Sequence, residues 1–529
     1  MKYIYSIIKA DYLQRTRSYA FLVTLAITVY VAYLFVPLPT ANYTTLSMPG
    51  YKGAFNSAWV GYVSAMMTTI MLSLYGFFLI NTGIKKDIDT EVGLIVATTP
   101  ITNLGYLLSK MLSNFLVLLT ILGITFVVSI AMFFVRGSGY PFIIGDFVVP
   151  YILFALPSLF FVSAMAIAAE VFLRDKLILQ CIAFIFFFGV VIGGTKGLPD
   201  SNTTVLMDVF GVKTLTGSIK NQVNTQYHAH IDDISMGFIF SGHKKPYQTF
   251  VWNGVAFSNI FLLSRLLWLV CGLAVVYLSS FFFHRFDFKQ AVRSKKIKNK
   301  ETDGQLKEAV VYKEPATISL KALPKLVPDY GIVPFIKTEL LLLIRKGSKW
   351  LWLVIAGIWV GMIFAPLDIA YGIMLPVIWF LQVTRWSELA TKEKTNQLHY
   401  FTYSSYKPLQ RMLPAQILAG VIVAVVLALP IIVRCGIAQN NYAVFNIING
   451  AIFIVLLAIC LGIVSGGKKL YEILFFMITY ALVEKLFIAD YLGAVPHNSH
   501  IMYIAIILGL NTFLAITSFT VRNHQARHL

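Results

Sequence analysis

Long apolar runs recur throughout this 529-residue chain, and they constrain its fold more than any other feature. Twelve runs approach the ~20 residues that a helix needs to cross the hydrocarbon core of a membrane. They lie near 18–37, 57–82, 111–135, 147–170, 177–194 and 259–283, and then near 350–365, 367–384, 412–433, 446–466, 471–488 and 501–521. The runs are continuous, whereas strands of a membrane barrel alternate apolar and polar residues. We therefore predict an all-α integral membrane protein with about 12 transmembrane helices.

The distribution of basic residues predicts how the chain is oriented. If the N-terminus is cytoplasmic, about 33 of the 43 Lys and Arg residues fall in cytoplasmic segments and about eight in external ones. This asymmetry is what the positive-inside rule describes, so we expect a multi-pass protein of the bacterial plasma (inner) membrane with both termini cytoplasmic. The net charge of +19 then reflects topology and contact with membrane lipids. No basic soluble module is present, and we expect no nucleic-acid partner.

The two halves of the chain resemble each other. The stretches IKADYLQRTRS (8–18) and IKTELLLLIRKGS (336–348) precede the first and seventh runs, and each predicts an amphipathic elbow helix. A polar cytoplasmic segment follows the second run of each half, at 85–110 and 385–411. We predict two pseudo-symmetric six-helix halves around a shared cavity, each with an N-terminal amphipathic elbow helix and a polar cytoplasmic segment after its second span.

The predicted halves set the domain boundaries. The first half covers residues 1–284, a charged cytoplasmic linker covers 285–330, and the second half covers 331–529. The external segment 195–258 is long enough for a small folded cap above the cavity. The first apolar run is long enough to span and follows a charged amphipathic stretch, so we expect no cleavable signal peptide.

Motifs for chemistry are weak in this chain. The four cysteines lie in or beside apolar runs, which disfavours a disulfide framework or a cysteine metal site. His228, His230, Asp232 and Asp233 lie close in sequence, but such clusters are mostly surface decoration, and we assign no metal site. The stretch GIVSGGKK (462–469) resembles a phosphate-binding loop but ends in Lys469 where that loop needs Ser or Thr. We interpret it as a glycine that stops a helix, followed by cytoplasmic lysines.

No polar stretch approaches the ~200 residues of a nucleotide-binding domain, so we expect no ATPase domain, no catalytic residue and no cofactor in this chain. Ionisable residues of the apolar runs, such as Glu170, Arg265 and Asp368, fall near run ends, where snorkelling lowers the cost of burial. An ion-driven carrier would be expected to bury a carboxylate in mid-span. The sequence shows no obvious example, which weakens that alternative.

The segment 85–110 also carries a family resemblance. It contains Asp87, Glu91 and Gly93, followed by LIVATTPITNLGYLLSK with Thr98, Pro100 and Lys110. This pattern resembles the coupling segment of type-two permeases of the ATP-binding-cassette (ABC) exporter family, and the resemblance implies a cytoplasmic coupling helix in each half. The run ALPSLFFVSAMAIAAEVFLRD (155–175) resembles the fourth span of that family. The resemblance is weaker in the second half, where EKTNQLHYFTYSSYKPLQRMLPAQ (393–416) lacks the glycine and a proline at the matching place.

The resemblance implies a permease subunit that exports an amphiphilic, peptide, lipid or drug-like substrate. Two copies of a separate ABC ATPase subunit would supply ATP hydrolysis, with ATP and magnesium bound there, so the chain itself is expected not to be an enzyme. Charge reversal at Asp87 and Glu91 is expected to uncouple hydrolysis without unfolding the spans. The residues expected to couple to the ATPase are Asp87, Asp89, Glu91, Gly93, Thr98, Pro100, Lys110, Glu393, Gln397, Tyr403 and Arg411. The alternatives are a twelve-span secondary transporter driven by an ion gradient and a non-transporting membrane receptor or scaffold.

Overall fold

The computed structural model is built almost entirely of helices. It describes residues 2–38, 41, 43–137, 139–174, 176–194, 201–228, 234–240, 247–283, 331–346, 349–404, 406–483, 489–494 and 500–527. The predicted linker 285–330 therefore lies outside the described residues.

The first part of the chain contains twelve described helices. They are α1 (Lys2–Thr16), α2 (Tyr19–Leu34), α3 (Ser57–Ile80), α4 (Gly83–Asp89), α5 (Val92–Ala97), α6 (Asn103–Arg136), α7 (Gly145–Pro150), α8 (Leu156–Leu173), α9 (Leu177–Gly194), α10 (Asn202–Met207), α11 (Val212–Tyr227) and α12 (Asn259–Phe282). A π-helical turn, Tyr151–Ala155, joins α7 to α8. Pro150 and Pro157 flank this turn, and a proline removes one backbone donor and disturbs the regular helical ladder around it.

The second part contains eleven described helices. They are α13 (Val333–Arg345), α14 (Lys349–Phe364), α15 (Leu367–Ile369), α16 (Leu375–Phe380), α17 (Val383–Trp386), α18 (Lys392–Thr395), α19 (His399–Tyr403), α20 (Pro408–Ile437), α21 (Asn441–Ser465), α22 (Lys469–Val483) and α23 (His500–Arg527). A π-helical turn, Ala370–Met374, joins α15 to α16 just before Pro376. The predicted helix stop in 462–469 is confirmed: Gly466 follows α21 with a left-handed φ of 64°, a conformation that glycine adopts without strain.

Among the residues that the structure describes, eight helices are long and apolar enough to cross a membrane, or up to ten if each bent helix pair counts as one span. The protein is therefore membrane-embedded. The predicted runs 367–384 and 471–488 correspond to shorter apolar segments, Leu367–Phe380 and α22. Twelve spans and the pseudo-symmetry of the halves stay predictions.

The two predicted elbow helices are described as separate helices. The axis turns by 70° between α1 and α2 and by 98° between α13 and α14. Both elbows lie at the end of the helix bundle where α3 leads into α4 and where α23 terminates. We call this the elbow end, and the opposite end, which carries the strands, the cap end.

The cap end contains a small mixed fold that the sequence predicted only in part. Strand β1 (Tyr43–Ser47) pairs antiparallel with β3 (Ser235–Phe240), and β2 (Tyr51–Gly53) pairs in parallel with β4 (Gln248–Phe250). The cap is thus built from the predicted segment and also from residues between α2 and α3. The amphipathic helix α11 buries one face against the aromatic residues of this region.

The two parts of the chain pack against each other through α2, α3 and α9 on one side and α16 and α22 on the other. The rings of Phe78 and Phe476 lie 3.8 Å apart at this seam. Two small cavities, of about 20 and 10 Å³, border it, and each is large enough for about one water molecule. This ring contact therefore joins the two parts of the chain at the seam.

Candidate functional site

A short apolar helix, α5, projects from the elbow end. It is reached through Thr82 and Glu91, whose φ angles of 98° and 59° are left-handed. Such values are uncommon for residues other than glycine, and they mark turns that the surrounding structure enforces. The chain passes from α3 through Asn81 and Thr82 into the seven residues of α4, and α5 begins directly after Glu91.

The surface of α4 and α5 that faces away from the bundle is apolar with an acidic edge. Ile95 is 67% exposed, and Ile88, Val92 and Leu94 are each about two-fifths exposed. Asp89 and Glu91 are also exposed beside them. We call this surface the first tip.

The carboxylate of Glu170 holds the start of α4. Its two oxygens accept hydrogen bonds from four consecutive backbone N–H groups, those of Thr82, Gly83 and Ile84 at 2.8 Å and that of Lys85 at 3.2 Å. A helix N-terminus leaves these donors unpaired, and its dipole favours a negative charge. The side chain is buried. The expectation that Glu170 snorkels near a span end is therefore wrong, because the carboxylate turns inward to the first four amides of this segment.

A buried lysine joins the elbow helix to the same segment. Lys110 Nζ lies 2.7 Å from Asp11 Oδ2 of α1 and 2.7 Å from Asp87 Oδ2 of α4, and Lys110 is 2% exposed. The hydroxyl of Tyr106 donates to Asp87 Oδ2 at 2.7 Å. The two carboxylates and the lysine hold α1, α4 and α6 together at one point, which we call the first junction.

Arg15 adds a second contact between the elbow and the spans. Its guanidinium donates to the Asn114 side chain at 2.6 Å and to the Ile80 carbonyl at 3.2 Å. A Cβ at Gly83 would come within 2.6 Å of the same guanidinium, so a larger residue there would displace the end of the Arg15 side chain.

The second polar segment repeats this arrangement in its residue order. Asp87 stands four residues before the left-handed Glu91, and Glu393 stands four residues before Gln397, whose φ is 55°. The exposed helix follows the left-handed residue in both cases. We call α19, with the preceding Leu398, the second tip.

The second tip is also apolar and exposed. Phe401 is 79% exposed, Tyr400 is 64% exposed and Leu398 is 51% exposed. Phe401 stands four residues after Gln397, as Ile95 stands four residues after Glu91. The missing glycine and proline of this segment therefore do not prevent a short exposed helix.

The second polar segment is also joined to its elbow and to a span by ion pairs, and we call these contacts the second junction. Their partners differ from those of the first junction. Glu339 of α13 pairs with Lys392. The next residue, Glu393, is buried, and its carboxylate accepts from Gln416 Nε2 at 2.7 Å and pairs with Arg522 of α23 at 3.3 Å. Burial raises the pKa of Glu393, although the charges of Lys392 and Arg522 act in the opposite direction.

A third acidic residue of this junction faces two cations. Glu388 pairs with Lys346, which directly follows α13, and, at 3.2 Å, with Lys468. Burial raises the pKa of Glu388, but the hydrogen bond and charge of Lys346, together with Lys468, outweigh it and bring the pKa below its ordinary value. Burial lowers the pKa of Lys346, and this shift disfavours the charged form of the lysine that pairs with Glu388. Because two ammonium groups share one carboxylate, the ionised pair is the state we assign at neutral pH.

The predicted coupling residues of the first segment separate into two groups. Asp87, Gly93 and Lys110 are buried. Asp89, Glu91, Thr98 and Pro100 are exposed around the first tip. Charge reversal at Asp87 would therefore break the first junction, whereas reversal at Glu91 changes only the exposed surface.

The predicted residues of the second segment are similarly divided. Glu393 is buried and Gln397 is exposed. Tyr403 is partly buried, and the Arg522 guanidinium lies 5.5 Å from its ring. Arg411 donates to the Gly331 carbonyl at 3.2 Å, and its guanidinium lies over Phe335, so it holds the start of α13.

Sequence reasoning missed several residues that shape this site. The sequence places Asp11 and Glu339 only within the two elbow stretches and Glu170 only near a run end, and it gives Arg522 no role. The shared position of Asp11 and Glu339 after an Ile-Lys pair was a usable signal for paired roles. Nothing in the sequence indicated that Arg522 contacts Glu393, since 129 positions separate them.

Among the described residues, no group of three or more His, Cys, Asp or Glu side chains could hold a metal ion. Most of the sequence stretch from His228 to Asp233 lies outside the described residues. Comparison with protein-family models, with curated proteins and with solved structures finds no match to this chain.

Proposed function

We propose that this chain is the permease subunit of an ATP-driven ABC exporter of the type-two family. It would move an amphiphilic, peptide, lipid or drug-like substrate out of the cell with two copies of a separate ATPase subunit. The observation that carries the proposal is the pair of exposed apolar tips, each of which follows a left-handed residue and a buried acidic residue at the elbow end.

The tips are suited to bind a soluble partner. Removing large apolar side chains such as Ile95 and Phe401 from water makes the free energy of binding more favourable. The acidic edge of the first tip provides a charged rim around this apolar surface. The rest of each segment is held by buried ion pairs. Force applied to a tip therefore passes to the helices behind it.

The first tip is connected to three helices behind it. Glu170 connects it to α8, and Lys110 connects it to α6 and, through Asp11, to the elbow. In the second segment, Arg522 connects Glu393 to α23. If each tip sits in a groove of an ATPase subunit, movement of that groove would tilt these helices as rigid bodies, as in other hinge and shear transitions. Separation of Phe78 from Phe476 would then open the seam.

The test is to purify the chain from its own membranes and to measure ATP hydrolysis in the preparation. We expect vanadate-sensitive hydrolysis that co-purifies with the wild type and is lost in Ile95→Asp and Phe401→Asp, since a charge at each tip opposes burial. Tyr5→Asp is the matched control, because Tyr5 is 66% exposed on α1 but lies outside both tips.

The alternatives give different results. Transport that persists with vanadate but stops with a protonophore would identify a secondary carrier and would overturn the proposal. Loss of hydrolysis in all three variants would show a general defect, and the tips would then have no special role.

A further inference from the structure

A groove of about 360 Å³ lies between α13 and the second polar segment. Its floor includes Leu343, Leu389 and the aliphatic parts of the charged side chains around them. This volume is within the usual range of small-ligand sites, which begins near 300 Å³. We call it the elbow groove.

The elbow groove carries an excess of positive charge. Four basic side chains line it, Arg345, Lys346, Arg385 and Lys392, against two acidic ones, Glu339 and Glu388. The ion pairs described above account for the two lysines. Arg385 donates to the backbone carbonyl of Lys346 at 2.9 and 3.1 Å and to the side-chain oxygen of Gln382. Both acceptors are neutral. The arginines therefore provide the uncompensated charge.

The rim of the groove is suited to the membrane interface. Leu341, Leu342 and Ile344 of α13 are exposed, and Trp350 at the start of α14 is 76% exposed. Tryptophan is enriched at the level of lipid headgroups, and amphipathic helices lie in the same plane. The 98° turn between α13 and α14 places apolar surface beside the arginines.

We propose that the elbow groove binds an anionic phospholipid, with its phosphate near Arg345 and its acyl chains along Leu342 and α14. Guanidinium groups bind phosphate through two parallel hydrogen bonds, and basic pockets beside membrane helices bind anionic headgroups. Free phosphate shares the charge but gains nothing from the apolar rim. The inference does not depend on an ATPase partner.

The test is a binding measurement by native mass spectrometry on the full-length protein in a non-ionic detergent. The probes are phosphatidylglycerol, phosphatidylcholine with the same acyl chains, and inorganic phosphate. We expect phosphatidylglycerol to bind tightest and Arg345→Gln to weaken it about fivefold, as the loss of one basic charge near a membrane surface predicts. Arg345 is exposed, so the substitution should leave the fold intact.

Lys337→Gln is the matched control, because it removes the same charge from an exposed position of α13 outside the groove. It should bind phosphatidylglycerol as the wild type does. Equal binding of the two lipids, an equal loss in both variants, or binding of phosphatidylglycerol by Arg345→Gln at the wild-type level would each overturn the proposal. Binding of inorganic phosphate as tight as that of phosphatidylglycerol would show a phosphate site and would overturn it as well.

Discussion

The two junctions at the elbow end join the same kinds of elements by different means. In the first, Lys110 is almost fully buried and pairs with both Asp11 and Asp87. In the second, Lys392 pairs with Glu339 but keeps a side-chain exposure of 24%, and Arg522 pairs with the neighbouring Glu393. One central cation thus fixes the first junction, whereas the second distributes its charges over several separate carboxylates, Glu339, Glu388 and Glu393.

The elbow helices also fill the space behind the junctions differently. Four residues after Asp11, Arg15 extends inward to Asn114 and the Ile80 carbonyl. Four residues after Glu339, the position is Leu343, and the elbow groove lies next to it. A long polar side chain therefore closes the first elbow against the bundle, and an aliphatic one leaves room for a ligand at the second.

The largest effect is expected from Lys110→Met. The substitution removes the cation that the buried Asp87 and the partly buried Asp11 share, and breaking a buried ion pair in this way costs about 3–5 kcal/mol. Denaturation in detergent, followed by tryptophan fluorescence, measures the loss. Lys110→Arg keeps the charge and should recover much of it, and a methionine variant as stable as the wild type would rule out a structural role for the first junction.

Glu170→Gln is expected to cost about 2–3 kcal/mol, because charged hydrogen bonds to four amides are replaced by neutral ones. Hydrogen exchange should accelerate at the amides of residues 82–85 and stay unchanged in α18. Unchanged exchange at 82–85 would contradict the assignment of Glu170 as the group that holds α4.

A smaller effect, about 1–2 kcal/mol, is expected from Arg522→Gln, because Glu393 keeps the hydrogen bond from Gln416. A double-mutant cycle with Glu393→Gln measures the coupling between the two side chains. Coupling as large as that between Lys110 and Asp87 would remove the difference that we draw between the junctions.

The smallest effect concerns pH. The pKa of Glu388 in the folded protein lies below its ordinary value, so its contribution is present above pH 4.5 and disappears as the pH falls through the folded value. We expect Glu388→Gln to cost no more than about 1 kcal/mol at pH 7, since the pair is partly exposed. The stability difference from the wild type should vanish in acid. A difference that grows as the pH falls would show the opposite sign.

Local patterns predicted much of the fold. The positions of both elbows, both polar segments and the helix stop at Gly466 follow from short-range periodicity and residue type, and the structure confirms them as local elements. Contacts between distant segments were less accessible. The strand β1 lies in the connection between α2 and α3, and its partner β3 is almost 200 residues away in sequence.

The exposure of single side chains was the least predictable feature. Asp87 and Asp89 are two residues apart, yet one is buried against Lys110 and the other is exposed. The phase of a seven-residue helix decides between them, and periodicity over so short a segment does not define that phase. The candidate site was thus located by sequence, but its inner and outer faces were not.

The most direct test of the central claim is photo-crosslinking from the two tips in native membranes. A photoreactive residue replaces Ile95 or Phe401, and bound nucleotide is labelled in parallel with azido-ATP. We predict that both positions capture a polypeptide that azido-ATP also labels, and that position 5 does not. Captured products that contain only lipid, or polypeptides without nucleotide label, would contradict the account.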